Sequence, residues 1–288
     1  MRTNAIIRII VWSIVILLLL GILGTVLVFD SYSFRHEDGS WTAPIVTPGS
    51  GEHRHDDHVL SQSEPITHIE IDWVAGSVTI VPGDTDRIRL SESGEFGTDD
   101  AMVYRQNGNK LTIEYQKQDV YIGIYSTPSK DLTITVPRDW EGIRISLDTA
   151  SAQLRMTGIT VREVELESAS GTAVFEDCRI AELNMDTASG DLHYSGMLDV
   201  LECNAASSNV HAVLANTPDR LIVEAMSGNV DITLPESSGF RAQVETLSGG
   251  FHSDFDCTHK NDSYIHGDGS CQMEINAISG DVHIRKGK

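Results

Sequence analysis

Basic side chains are scarce in this sequence. Its 288 residues include 21 Lys and Arg against 42 Asp and Glu, which gives a formal net charge of -21 at pH 7. Proteins that bind nucleic acids neutralise phosphates with clustered Lys and Arg, so the composition argues against a nucleic-acid partner. Anionic lipid headgroups also attract basic segments, so we do not expect the acidic surface to bind lipid headgroups by charge.

Catalytic motifs are missing as well. The sequence contains no G-x-S-x-G, H-E-x-x-H, P-loop or dinucleotide-binding fingerprint. Ser-Gly pairs recur, but no paired base accompanies them, so we interpret them as turns rather than nucleophiles. A carbohydrate-active enzyme built on a β-helix is the enzymatic alternative. It would need basic and carboxylate side chains together in a groove, and none recur in that arrangement, so we predict that the protein is not an enzyme.

A short sequence pattern is repeated seven times between Ile145 and Ile284. We use the residue after the central Ser of each copy as its anchor. The anchors are Ala152, Gly171, Gly190, Ser208, Gly228, Gly249 and Gly280. Their spacing is about twenty residues, with a longer interval before the last copy. A fixed period of that length is typical of a solenoid, in which each repeat buries its apolar face against its neighbours.

Apolar and polar residues alternate on both sides of each anchor, which predicts two β-strands per repeat. The inward residues five positions before the anchors are Leu147, Leu166, Met185, Cys203, Val223, Val244 and Ile275. The inward residues of the second strand are Leu154, Ala173, Leu192, Val210, Val230, Phe251 and Val282. Crossovers between neighbouring parallel strands are right-handed. We therefore predict an all-β, single-domain, right-handed parallel β-solenoid (β-helix) with about 20 residues per coil.

An uncharged run at residues 9–29 is long enough to span a bilayer as a helix. Arg2 and Arg8 precede it, which predicts a cytoplasmic N-terminus and extracytoplasmic repeats. A cleaved signal peptide is the alternative, although the run is long for one and no A-x-A-like site follows. The predicted organisation is a cytoplasmic tail at 1–8, a transmembrane helix at 9–29, an extracytoplasmic linker at 30–63 and a solenoid at 64–288, with irregular capping coils at 64–137 and regular coils at 138–288 interrupted by an insertion at 256–270.

The insertion is flanked by two of the four cysteines, Cys257 and Cys271. Outside the membrane an oxidised pair is chemically allowed and would close the base of this loop. Sequence does not determine connectivity, so the disulfide and two free thiols both stay open.

Two outward columns carry the candidate ligand residues. Three residues past the anchors, the first column contains His193, His211, Asp231, His252 and His283. Stacked strands lie about 4.8 Å apart, so neighbouring imidazoles could share Zn²⁺ with Asp231 as an oxygen ligand, or repel each other when protonated. The alternative is an exposed polar face in which these histidines have no special role.

The second column is acidic and lies four residues before the anchors. It contains Asp148, Glu167, Asp186, Asn204, Glu224, Glu245 and Asn276. Aligned like charges repel each other and lower stability, and the uncharged amides of Asn204 and Asn276 would relieve this repulsion. Ca²⁺ bridging is the functional alternative, although the calcium-binding nonapeptide motif is missing. We predict no resident cofactor, with Zn²⁺ and Ca²⁺ as the candidate ions.

Four features carry a family resemblance: the apolar N-terminal segment, the linker, the sequence LTITVP at 132–137 and the serial copies of x-SG-D-V/L-x-I. Together they resemble a family of bacterial putative-adhesin domains of unknown function that are built of β-strand repeats. The resemblance extends from about Ile66 to the C-terminus. It implies an extracytoplasmic β-solenoid of the cell envelope, and the family brings no established catalytic residues.

These observations together predict a non-catalytic, membrane-anchored, adhesin-like or scaffold module of the bacterial cell envelope. Residues 9–29 would lie in the lipid bilayer, and the solenoid would contact an envelope protein or polysaccharide. A metal- or pH-responsive envelope sensor that uses the His/Asp column is the alternative.

Overall fold

The computed structural model describes residues 53–59, 65–94, 101–115 and 129–287. All helical and strand structure in these ranges is β-strand, which confirms the all-β prediction. None of the described residues forms a helix that could cross a bilayer. The predicted tail at 1–8 and the predicted transmembrane helix at 9–29 lie outside the described residues.

The strands fall into an irregular N-terminal group and a regular series. The first group is β1 (His53–Val59), β2 (His68–Trp73), β3 (Gly76–Gly83), β4 (Arg89–Gly94), β5 (Val103–Asn107), β6 (Lys110–Glu114) and β7 (Lys130–Pro137). The second is β8 (Glu141–Thr149), β9 (Gln153–Thr157), β10 (Thr160–Ser170), β11 (Ala173–Ser189), β12 (Leu192–Ser207), β13 (Val210–Leu214), β14 (Arg220–Ser227), β15 (Val230–Leu234), β16 (Phe240–Ser248), β17 (Phe251–Ser253), β18 (Thr258–Lys260), β19 (Ser263–His266), β20 (Cys271–Ser279) and β21 (Val282–Lys286).

Each repeat consists of a first strand and a second strand that meet at the Ser-Gly corner, and we call this unit a coil. First strands pair in parallel with first strands of neighbouring coils, and second strands pair with second strands. In the described residues the first-strand column contains nine parallel strands, in the spatial order β6, β2, β8, β10, β11, β12, β14, β20 and β16. The stack is therefore solenoid-like, as the period predicts.

The predicted inward residues form continuous lines through the interior. Leu147 pairs with Leu166, Leu166 with Met185, and Met185 with Cys203. All four are at most 3% exposed. A one-residue slip would turn the whole line to solvent. Burying each large aliphatic side chain contributes about 1.5–3 kcal/mol, so the apolar lines fix the register.

Glycine is favoured at the corner because a side chain there would clash with the backbone of the adjacent coil. At Gly228 the backbone φ is 133°, and a Cβ would lie 1.9 Å from the carbonyl oxygen of Ser208 on the adjacent coil. L-residues other than Gly rarely adopt such a φ, and no side-chain movement relieves a contact with backbone. This explains why the anchor is usually Gly.

The spatial order of the coils differs from their order in the sequence. Strand β20 lies between β14 and β16, and β21 lies between β15 and β17. The final coil is therefore inserted between the two coils that precede it, contrary to sequential stacking. The long interval before the last anchor provides the chain needed for this return.

The N-terminal end has the same arrangement. Strand β2 lies between β6 and β8, and β3 lies between β7 and β9. The first coil of the chain is thus also second from the end of the stack. Both terminal coils of the sequence are held between two neighbours, so neither forms the end of the hydrophobic core.

Antiparallel strands cover both ends of the stack. Strand β5 pairs with β6, while β4 pairs with β7 and β1 pairs with β4. At the other end β18 and β19 form a hairpin on β16. The predicted insertion at 256–270 is therefore largely a capping hairpin. Strand β1 lies within the stretch 30–63 that was predicted to be a linker, so the structure differs from the prediction there.

A buried ion pair links the N-terminal cap to the stack. Lys130 Nζ lies 3.2 Å from Glu92 Oε1, and both side chains are fully buried. Glu92 Oε2 also accepts a hydrogen bond from the Met102 amide at 2.7 Å, and the Lys130 ammonium lies 4.2 Å from the centre of the Tyr115 ring. A buried charge needs such partners to offset its lost hydration.

Candidate functional site

The predicted His/Asp residues do lie in one outward row, but in a different order. His193 pairs with His211, and His211 pairs with Asp231. His283 follows Asp231, and His252 comes last. His283 separates Asp231 from His252 because the final coil is inserted. The row exists as predicted from the period, and its order depends on the tertiary fold.

An ion pair divides this row into two histidine pairs. Arg285 Nη2 and Nε donate to Asp231 Oδ1 at 2.7 and 2.9 Å. The ring centres of His193 and His211 are 6.2 Å apart, and those of His252 and His283 are 4.7 Å apart. Over the described ranges, no three His, Cys, Asp or Glu side chains are grouped so that they could hold a metal ion.

Of the two states left open for Cys257 and Cys271, the structure has the free thiols. All four cysteines are free thiols, and Cys257 is only partly buried while Cys271 is fully buried. Cys271 begins the inserted strand β20, facing the core between two coils. Cys257 Sγ lies 3.6 Å from Ser253 Oγ, just after β17. The insertion is thus closed by the strand pairing of its hairpin rather than by a covalent bond.

The acidic column forms a continuous ladder on the outer face of the first strands. In spatial order it runs through Glu114, Asp72, Asp148, Glu167, Asp186, Asn204, Glu224, Asn276 and Glu245. Partial burial, and then the charges of Asp148 and Asp186, raise the pKa of Glu167. Partial burial and then Asp72 raise the pKa of Asp148 in the same way.

The two amides interrupt this ladder where the charges would otherwise continue. Asn204 Nδ2 donates to Asp186 Oδ1 at 2.9 Å. Asn276 lies between Glu224 and Glu245, which would be direct neighbours if the coils were stacked in sequence order. An amide can donate a hydrogen bond to a carboxylate and carries no charge, so the predicted relief of repulsion agrees with the positions of both amides.

A second polar ladder runs along the corners, and it was not predicted from the sequence. Asp191 Oδ1 accepts a hydrogen bond from the backbone N–H of Asn209 at 2.8 Å, and Asn209 Oδ1 accepts one from the backbone N–H of Asn229 at 3.0 Å. Asn229 Oδ1 accepts the Asp281 amide at 3.0 Å, and Asp281 Oδ1 accepts the Gly250 amide at 2.8 Å. The recurrence of Asp or Asn directly after the anchor is the signal that could have revealed it.

The groups with the most strongly perturbed titration belong to the core. Burial raises the pKa of Cys203 to about 12 and that of Cys271 to about 12. Burial also raises the pKa of Tyr194, whose hydroxyl donates to the Met197 carbonyl at 2.6 Å. Thiols with raised pKa values are poor nucleophiles, so these residues act as packing groups.

Comparison with known proteins agrees with this architecture. Residues 143–285 match the family described as Toastrack DUF4097. No curated protein matches the chain.

Several solved structures are similar to the chain. A "putative adhesin" from Bacteroides fragilis is 14% identical with a TM-score of 0.48, and the match covers 83% of this chain and 98% of that one. A "putative adhesin" from Parabacteroides distasonis is 10% identical with a TM-score of 0.49, with coverages of 82% and 98%. A "putative lipid binding protein" from Parabacteroides distasonis is 14% identical with a TM-score of 0.37, with coverages of 84% and 98%.

Proposed function

The repeat region of this chain belongs to the Toastrack DUF4097 family, and from this premise we propose that the protein is a non-catalytic, adhesin-like interaction or scaffold module of the bacterial cell envelope. In this proposal residues 9–29 span the membrane and the repeats lie outside it. The coils wind as a right-handed parallel β-helix. The partner is an envelope protein or polysaccharide that binds the outer face of the first-strand column.

The continuous outer face of the first strands is the observation that supports this role. Nine parallel strands of the described part present their outward side chains in aligned rows. At strand spacing this gives a surface about 40 Å long. Small-molecule active sites are concave and enclosed, whereas aligned rows on a flat sheet suit a partner that makes many dispersed contacts.

The interior chemistry supports the non-catalytic part of the proposal. Groups with shifted pKa values mark active sites when they lie in a cleft. Here the shifted thiols of Cys203 and Cys271 are fully buried. Their shifts arise chiefly from burial, which is the effect expected of core residues.

Site-specific crosslinking tests the proposed face. A photoreactive amino acid replaces Asp186 in the middle of the acidic ladder, and in a matched variant it replaces Glu236, which lies in the exposed turn after β15. We expect irradiated cells to yield crosslinks to envelope components from position 186 and few from position 236. Equal crosslinking from both positions would contradict a specific face.

A separate measurement tests the location. Glu236→Cys in a Cys257→Ser background is treated with a membrane-impermeant maleimide in spheroplasts. We expect labelling without lysis if the repeats are extracytoplasmic. Labelling only after lysis would contradict the proposed orientation.

The close contact between His252 and His283 favours the sensor as a second candidate. Their ring centres are 4.7 Å apart, which is close enough for the two imidazoles to share one Zn²⁺ ion. His252→Gln with His283→Gln should weaken Zn²⁺ binding by the full-length chain, while His259→Gln on the capping hairpin should not. Unchanged Zn²⁺ affinity in the double variant would reject this candidate.

A further inference from the structure

Two arginines face a shallow hollow on the outer face of the first strands, near the end of the stack that β16 forms. The inserted strand β20 places Gln272 between Arg220 and Arg241. The next outward row contains Glu274 and Gln243. These side chains line a hollow of about 230 Å³. The site exists only because the final coil separates the two coils that carry the arginines.

The guanidinium groups in the hollow are available to a ligand. Among the described residues, Arg241 has no side-chain hydrogen bond or ion pair, and Arg220 Nη2 is 3.9 Å from Glu202 Oε2, beyond hydrogen-bond distance. Arg144 lies in the same outward column but is held by Glu163 and Glu165. Two glutamates therefore bind the Arg144 guanidinium, whereas, among the described residues, the guanidinium groups of Arg220 and Arg241 form no hydrogen bond to another side chain.

The remaining polar groups point to the kind of ligand. Guanidinium binds carboxylate through paired charge-assisted hydrogen bonds. Gln272 Nε2 donates to the Gly269 carbonyl at 2.7 Å, which leaves its side-chain oxygen free to accept from a hydroxyl, and Gln243 offers both a donor and an acceptor. Such a set matches a group that carries a carboxylate together with hydroxyls.

The neighbouring acids limit the ligand's charge. Glu274 lines the hollow itself. Partial burial, and then the charge of Glu274, raise the pKa of Glu224 on the adjacent strand. A second negative charge on the ligand would meet this negative potential. Within the hollow, a sugar unit that carries one carboxylate is therefore favoured over a dianionic phosphate or a sugar unit that carries several sulfates.

We propose that the hollow between Arg220 and Arg241 binds the carboxylate-bearing sugars (uronic acids) of an acidic polysaccharide. Arg220 and Arg241 hold the carboxylate, while Gln243, Gln272 and Glu274 contact the sugar hydroxyls. This names a ligand class for the interaction role proposed above, and it rests on that role.

Calorimetric titration of the full-length chain with trigalacturonic acid tests the assignment. Arg220→Gln and Arg241→Gln should each weaken binding about tenfold or more, because each removes a charge-assisted hydrogen-bonding partner. Arg144→Gln makes the same charge change in the same column and should leave affinity unchanged. The methyl-esterified trimer, which lacks the carboxylates, should not bind.

Four results would overturn the assignment. Three of them are equal binding of the methyl ester, equal loss in Arg144→Gln, and sulfate binding as tight as that of the trimer. The fourth is the absence of trimer binding. If crosslinks from position 186 persist in that case, only the uronic acid assignment fails. If they are also absent, the proposed interaction role fails with it.

Discussion

At the scale of single residues, side chains in the outer ladder are affected most by their neighbours on adjacent coils. Glu167 lies between Asp148 and Asp186, and its pKa is raised by partial burial and by those two charges. The folded state therefore binds a proton at Glu167 more tightly than the unfolded chain does. The resulting stabilisation is fully present below the ordinary value of 4.5 and is lost as the pH rises through the raised pKa.

The raised pKa of Glu167 predicts how Glu167→Gln changes the stability. At pH 7 the variant should be more stable than the native chain by roughly 0.2–1 kcal/mol, because it removes a like-charge contact on each side. The gain should disappear below about pH 4.5, where Glu167 is protonated in both states. Urea unfolding at pH 7 and pH 4 measures this, with the exposed Glu236→Gln as the control. A gain that persists at pH 4 would contradict the electrostatic explanation.

The buried pair of Lys130 and Glu92 leads to the opposite expectation. Lys130→Met leaves the Glu92 carboxylate in the interior without its cation and should cost about 3–5 kcal/mol. Adding Glu92→Gln removes the charge while keeping an acceptor for the Met102 amide, so the double variant should recover much of the loss. Thermal unfolding of the single and double variants measures the difference. Equal destabilisation of both would show that packing, not the lone charge, dominates.

At the scale of strands and corners, two ladders join each coil to the next. The apolar lines set the register, and the Asp/Asn ladder satisfies amides at the corner where regular strand pairing is interrupted. The ladder ends at Gly250, which has no side chain to continue it. Its last step thus coincides with the last coil of the stack.

Removing one step of this ladder should loosen the corner. Asn229→Ala deprives the Asp281 amide of its acceptor and should cost about 0.5–1.5 kcal/mol. The exchange rate of the Asp281 amide should rise as well. Asn184→Ala is the matched control, since the Asn184 side chain bonds only to Glu182 within its own strand. Equal loss of stability in both variants would contradict a role between coils.

At the scale of the whole molecule, the order of the coils determines which residues meet. Glu224 lies beside Asn276, and Asn276 lies beside Glu245. The two glutamates are therefore two strand spacings apart, about 9.6 Å. Stacking in sequence order would place them side by side.

Engineered disulfides distinguish the two orders. In a Cys257→Ser background, Glu224→Cys with Asn276→Cys should form a disulfide on mild oxidation, because adjacent strands bring the Cα atoms within bonding range. Glu224→Cys with Glu245→Cys should not, because its Cα atoms are more than 7 Å apart. Mobility on non-reducing gels reports the outcome. Efficient bonding in the second pair and not the first would establish sequential stacking.

Much of the fold could be predicted because its signals are local and repeated. The alternation around each anchor correctly assigned the inward lines through Leu166 and Met185. Ile69–Ile80 shows the same alternation of apolar and polar residues, and its strands β2 and β3 join the stack beside β8 and β9. The corner ladder was accessible in principle, since Asp or Asn recurs after the anchor.

The hollow between Arg220 and Arg241 was harder to predict from the sequence. Each column could be assigned from the period, but Arg220, Gln272 and Arg241 come from three strands whose adjacency depends on where the final coil inserts. The state of Cys257 and Cys271 was left open for a similar reason, because Cys271 belongs to the inserted strand. Spacing along the chain carries no information about such an exchange of neighbours.

The sequence by itself determined which side chains face inward, because a strand exposes alternate residues to opposite faces whatever its neighbour is. It also determined the corners, because Gly tolerates a φ that other residues rarely adopt. Only the tertiary structure decided which coil lies against which. Every coil presents a similar apolar face, so burial alone barely distinguishes one neighbour from another, and the choice falls to the corner hydrogen bonds, the capping strands and the length of chain available for the return.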